Sequence, residues 1–308
     1  MKHFLIFIIA LCVTPLLAVD AAEYGVTVTS TPVLNSPDFK GVFGGTSGAA
    51  LKTDRCGQVR ELEYIALPGT VFTIVKKQPS ASDTIYQVET DEYTAPADTR
   101  LYIDSRFLRP ARSAVPPSRA PLPSREAIVS ALTAAVGSRY VWGGNVLGGV
   151  PELSAWFYKG IREEERGRLT LAGLDCSGLL YQATGGWTPR NTAQLLMYGQ
   201  GVDIAGKSSR DISNVLLPLD LIVWNGHVII VLDQQTAIES RLVCGKPGNG
   251  GVVMTPLSLR IAEIMRTRHP VNSWPSGTIQ KNIFIVRRWY AEPQTVSEIK
   301  FPLPVKNN

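Results

Sequence analysis

The chain is poor in the residues that most catalytic and metal chemistry draws on. It has three histidines and four cysteines in 308 residues, and its formal charge of +5 contains no dense Lys/Arg block. Lacking a His/Cys/Asp cluster at metal-ligand spacing, it is a poor candidate for a zinc hydrolase. Lacking a basic stripe, it has no expected nucleic-acid partner. The modest, dispersed charge suits plain solubility or an anionic polymer equally well. Beyond the first residues no apolar run reaches the length of a membrane-spanning helix, and no internal repeat is evident.

What is present begins with a leader. Met1-Lys2-His3 is followed by an apolar stretch from Phe4 and by small residues from Ala18 to Ala22. This predicts a signal peptide over 1–22 and an exported protein of the periplasm or cell envelope. Cys12 raises a lipid anchor, which Leu11, standing where a small residue is expected, argues against. The remaining cysteines are Cys56, Cys176 and Cys244. An odd number allows either no bridge or one bridge plus a free thiol. Sparing Cys176 would pair Cys56 with Cys244, although their separation across two units speaks against that bridge.

Five prolines between Pro110 and Ser124 mark a stiff linker over 110–124. Upstream, residues 23–109 hold short β-type runs at 26–29, 71–75, 85–88 and 101–103, the pattern of a small β-barrel. Downstream, Ser124 can cap a helix with Ile128, Leu132, Ala135 and Val136 on one face and Gly137 at its end. Strands are expected at 219–224, 228–232 and 283–287. Helices first and sheet afterwards predict an α+β unit over 125–292, with a tail over 293–308.

Asp175-Cys176-Ser177-Gly178 sits where a glycine-containing loop meets the apolar run from Leu179. That reads as a helix start, whose positive end favours a thiolate nucleophile. His3 falls in the leader, so the base must be His227 or His269. His227 follows the tight turn Asn225-Gly226 and opens an apolar strand, a setting that would fix its ring. A cysteine on a helix start, followed by a histidine at a strand start, is the order of a papain-like thiol hydrolase.

Five segments in this order resemble the NlpC/p60 family of cell-wall cysteine peptidases. They are Tyr140-Val141-Trp142-Gly143-Gly144, Asp175-Cys176-Ser177-Gly178-Leu179, Pro189-Arg190-Asn191-Thr192, Pro218 to Trp224, and Gly226-His227-Val228. The residues before the linker resemble a bacterial SH3-like domain. The resemblance implies a γ-D-glutamyl–diamino acid endopeptidase acting on peptidoglycan stem peptides or muropeptides. It implies Cys176 as nucleophile, His227 as base and acid, and a third residue at the position of Glu239. It also implies Asp175, Ser177 and Tyr140 as binders of a free L-alanine amine, with Thr192 a further substrate contact. No metal, cofactor, nucleic acid or membrane span is expected, and a monomer is favoured.

The chain departs from that pattern in three places. Glu239 stands where many members have histidine. Leu219 replaces the usual glycine before Asp220, which predicts a reshaped turn. The segment 145–174 is longer than expected and would form a lid or wall over the cleft, or a surface decoration. Two rival readings stay open: an N-acetylmuramoyl-L-alanine amidase or acyltransferase on the same scaffold, and a non-catalytic wall-binding protein.

Overall fold

The computed structural model describes residues 23–79, 84–113, 120–245, 250–275, 277 and 280–290. The expected signal peptide, Cys12 and the tail 293–308 lie outside them.

Residues 23–111 build one antiparallel sheet of seven strands. Its order is Leu62–Ala66, Thr31–Leu34, Leu101–Asp104, Thr84–Glu89, Val71–Pro79, Glu23–Thr27 and Leu108–Ala111. All four expected strands are present. Thr31–Leu34 and Leu62–Ala66 are additional, and they gave no alternation to read because nearly every residue in them is buried. Pro110, expected to open the linker, instead lies in the last strand opposite Gly25. That strand is at the edge of the sheet, where a residue without an N–H is tolerated.

The second unit is a seven-stranded sheet between two layers of helix. Its main path runs Gln200–Gly201, Ile283–Arg288, Leu221–Trp224, His227–Val231, Thr236–Leu242 and Gly250–Pro256, all antiparallel; His269–Pro270 adds a parallel pair. Strand alternation decides the layers. Leu221, Val223, Val228 and Ile230 face one way, onto the helices Arg125–Ala134 and Cys176–Ala183. Ile222, Trp224, Ile229 and Val231 face the other way, onto Ser209–Val215 and Leu257–Met265. Ser124 caps its helix as expected, accepting from the Ala127 N–H at 3.2 Å.

The segment 145–174 is neither a free lid nor a decoration. Its helices Pro151–Phe157 and Glu163–Leu169, with the residues just after each, bury Leu153, Tyr158, Leu169 and Leu171 in the same core as the N-terminal sheet. Trp156 packs edge-on against Phe107 at 4.6 Å, Phe157 lies 5.6 Å from Phe43, and the Arg106 guanidinium covers both Trp156 and Phe157. The insertion is therefore a wall joining the two units. The Cys56–Cys244 bridge, disfavoured from sequence, is formed. Its 188-residue separation was no obstacle, because the insertion brings the two units together.

Candidate active site

Cys176 is the first residue of its helix and is 7 % exposed. Asp175 caps that helix: its Oδ1 accepts from the Gly178 N–H at 2.6 Å. The helix start is fixed from behind, since the Ser240 hydroxyl donates to the Leu174 carbonyl at 2.6 Å. Gly178 is required by space, because a Cβ there would overlap the Gly144 carbonyl. With Gly178's N–H taken by the cap, the N–H groups of Cys176 and Ser177 have no intrahelical acceptor and no other backbone acceptor among the described residues, the arrangement of an oxyanion-binding pair.

His227 opens its strand where the sequence placed it, and its ring lies near enough to Cys176 for the two groups to interact. The thiol also lies 3.9 Å from the Gly226 carbonyl. On the other side, His227 Nε2 is 2.7 Å from Glu239 Oε2. An ionised carboxylate only accepts, so Nε2 carries the proton and Nδ1 is left for the thiol. Burial works against a charged imidazole. The interactions with Cys176 and Glu239 outweigh it and raise the His227 pKa from 6.5 to about 9. His269, the other candidate base, is exposed and pairs with the Ile283–Arg288 strand, with no side-chain bond to Cys176 among the described residues.

Glu239 is wholly buried, which opposes its charge. The bonds from His227 and from Arg260 overcome burial and hold its pKa down at about 2. Arg260 donates from Nε to Oε1 at 2.7 Å and from Nη2 to Oε2 at 3.0 Å. Arg241 stands 3.7 Å from Oε1. Trp224 packs on the His227 ring at 4.9 Å between centroids, with the Arg268 guanidinium on the indole.

A second buried cluster surrounds Asp175. Arg190, 2 % exposed, donates from Nη2 to Asp175 Oδ2 at 2.8 Å and from Nη1 to Oδ1 at 3.1 Å. The same Nη1 reaches the Ser177 hydroxyl at 3.1 Å, and Nε reaches Asn145 Oδ1 at 2.9 Å. Asn145 in turn accepts from the Ile65 N–H at 3.0 Å and donates to the Ile65 carbonyl at 2.8 Å. It thus closes the open edge of the N-terminal sheet as a short strand would. Tyr140 is buried beside Asp175; burial, then the Asp175 carboxylate, hold its phenol protonated.

The structure therefore brings together Cys176, His227 and Glu239, with Asp175, Ser177 and Tyr140 adjoining. Thr192 is placed differently. It begins the short helix Thr192–Leu195, which docks on the N-terminal unit through its cap and its third residue: Asn191 donates to the Thr94 carbonyl and Gln194 to the Thr94 hydroxyl, each at 2.8 Å. No bond joins the Thr192 side chain to the cluster among the described residues. Arg190 and Arg260 were missed. Arg190 carried a signal, its place in the Pro189–Thr192 motif. Arg260, on an amphipathic helix, carried none. Among the described residues no group of three or more His, Cys, Asp or Glu could hold a metal, and no helix is long and apolar enough to cross a membrane.

No family model and no curated protein matches the chain. Several solved structures are similar to it, two of which follow. An NlpC/P60 family protein from Bacillus cereus ATCC 10987 shares 15 % identity over 87 % of this chain, with a TM-score of 0.32. The match spans 64 % of that protein's length, less than two thirds. RipD from Mycobacterium tuberculosis, described as a non-catalytic NlpC/p60 domain protein adapted to peptidoglycan binding, shares 20 % identity over 43 % of this chain and 92 % of its own, with a TM-score of 0.28. Likenesses of this size carry no functional argument, so any assignment has to come from the site.

Proposed function

We propose that the protein is an exported peptidoglycan hydrolase of the NlpC/p60 type. It would be a cysteine endopeptidase that cuts the γ-D-glutamyl–diamino acid bond of stem peptides. The observation that supports this most is the Cys176–His227–Glu239 juxtaposition, a thiol at a helix start beside an imidazole that a buried carboxylate orients. In the reaction Cys176, as thiolate, attacks the γ-carbonyl, and the free N–H groups of Cys176 and Ser177 receive the oxyanion. His227, held as imidazolium, protonates the departing amine. It then takes a proton from the water that releases the acyl group. The N-terminal sheet is read as an SH3-like module that forms one side of the cleft.

The reading extends to peptides with a free L-alanine amine, bound by Asp175, Ser177 and Tyr140. Arg190 already neutralises much of the Asp175 charge. Recognition therefore depends on the lone pair left on Oδ2 and on the two hydroxyls, and a preference of about ten-fold is expected, the size of one charged hydrogen bond. The test is mass spectrometry of products from L-Ala-γ-D-Glu-meso-diaminopimelate, its N-acetylated form and intact muropeptides, beside Cys176→Ala. Release of L-Ala-D-Glu, lost in the variant, is the expected result. Loss of the whole stem from muropeptides would mean an amidase, and binding without any cleavage would mean a wall-binding protein.

A further inference from the structure

A crevice of about 250 Å³ lies where three segments meet: Gln58–Val59 of the N-terminal unit, Arg139–Val141, and the end of the 145–174 insertion at Arg168 and Leu171. It adjoins the candidate site on two counts. Tyr140 lines it and sits in the field of Asp175. The Arg139 carbonyl accepts from the Leu174 N–H at 3.0 Å, and the Val141 N–H donates to the Leu174 carbonyl at 3.4 Å. One wall of the crevice is thus hydrogen-bonded to the residue just before Asp175-Cys176. The opposite wall is equally fixed: Gln58 accepts from the Trp142 N–H at 2.8 Å and lies two residues from the bridged Cys56.

The lining has a clear charge. Two guanidiniums, Arg139 and Arg168, face the crevice and no carboxylate does. Arg168 is shared with Glu165 at 2.9 Å, whereas Arg139 forms no ion pair among the described residues. The remaining surface is largely aliphatic. Such a site suits a group with a short carbon stem and an anionic end, and guanidinium is the donor that matches a carboxylate's two oxygens. An ammonium end would be repelled.

We propose that this crevice is a carboxylate-binding subsite for the peptide cleaved at Cys176, an inference that rests on the hydrolase reading above. Two acids that persist in longer stem peptides are the candidates to fill it: the α-carboxylate of the D-glutamyl residue and the side-chain carboxylate of the diamino acid. Arg139 is the principal contact and Arg168 the lesser, since Glu165 competes for it.

The experiment is calorimetric binding to the full mature chain carrying Cys176→Ala, alone and combined with Arg139→Gln or Arg168→Gln. Three peptides are used: L-Ala-γ-D-Glu-meso-diaminopimelate, the same peptide with the D-glutamyl α-carboxylate amidated, and the same with L-lysine in third place. Arg139→Gln should weaken the diacid peptide about ten-fold, the worth of a charged hydrogen bond, and Arg168→Gln should weaken it less. The peptide lacking the bound carboxylate should be weak already and indifferent to Arg139→Gln, which identifies the source. Binding of all three peptides within two-fold in every variant would overturn the subsite, even with cleavage by the active chain intact. Arg139-dependent binding without cleavage would keep the subsite and sink the hydrolase. No binding of any peptide would overturn both.

Discussion

Glu239 has no contact with water, yet three cations face it: His227, Arg260 and Arg241. Arg260 fixes the carboxylate plane with two bonds and takes part of its field away from His227. In the proposed reaction that division matters, since the imidazolium has to persist at neutral pH and still surrender its proton to the leaving amine. The raised His227 pKa predicts that kcat/KM falls on the alkaline side near pH 9, where the imidazolium is lost. Glu239→Gln keeps an acceptor but removes the charge, so this limb should move to lower pH and kcat/KM should drop roughly 10²-fold; a pH–rate profile decides. Removing Arg260 acts in the opposite sense. Arg260→Ala should move the limb upward and destabilise the fold by about 3 kcal/mol, since it leaves a buried charge short of a partner. Arg260→Lys should recover most of the stability but not the original profile, and an unmoved limb in both variants would deny Arg260 any influence on the imidazole. Cys176 and His227 were legible because their neighbours mark them, a capping aspartate and a turn glycine before an apolar strand, whereas Glu239 came only from the family resemblance. The sequence could not disclose Arg260, whose helix reads as one with an ordinary solvated face.

At the scale of the element, the turn before Asp220 is the instructive departure. Leucine in place of glycine predicted a reshaped turn, yet Leu219 adopts φ 70°, the left-handed conformation that glycine favours. Burial explains it. The side chain is fully enclosed and its N–H donates to the Val231 carbonyl at 2.7 Å, so packing and the strand pairing hold a backbone that leucine disfavours by about 1–2 kcal/mol. Both Leu219→Ala and Leu219→Gly lose the buried side chain, but only glycine also relieves the backbone. Leu219→Gly should therefore be the more stable of the two by about 1 kcal/mol, the reverse of their usual order. Urea unfolding of the pair measures it, and alanine ranking above glycine would contradict the strain. Strands that alternate or run continuously apolar, such as His227–Val231, were readable from the sequence. The insertion helices were not, because their apolar faces are matched to Phe39, Phe43 and Phe107, far away in the chain.

At the scale of the molecule, the linker suggested two modules on a tether, and the contacts show two units closed on each other. The bridge from Cys56 to Cys244, the aromatic wall of the insertion and the Asn145 contact with Ile65 all cross the same boundary. A bridge closing 188 residues restricts the unfolded chain enough to contribute about 3–5 kcal/mol. Cys56→Ser with Cys244→Ser should lower the midpoint of chemical unfolding accordingly, while leaving one transition for both units. Separate transitions in the unreduced protein would show the units to be independent after all. The Asn145 contact carries the last consequence. Its amide completes a sheet edge on one side and holds Arg190, and through it the cap of the Cys176 helix, on the other. The N-terminal unit is thus part of the apparatus that shapes the thiol's surroundings. An evolutionary exchange of that unit for another module would succeed only if the newcomer offered a bare strand edge at the height of Ile65.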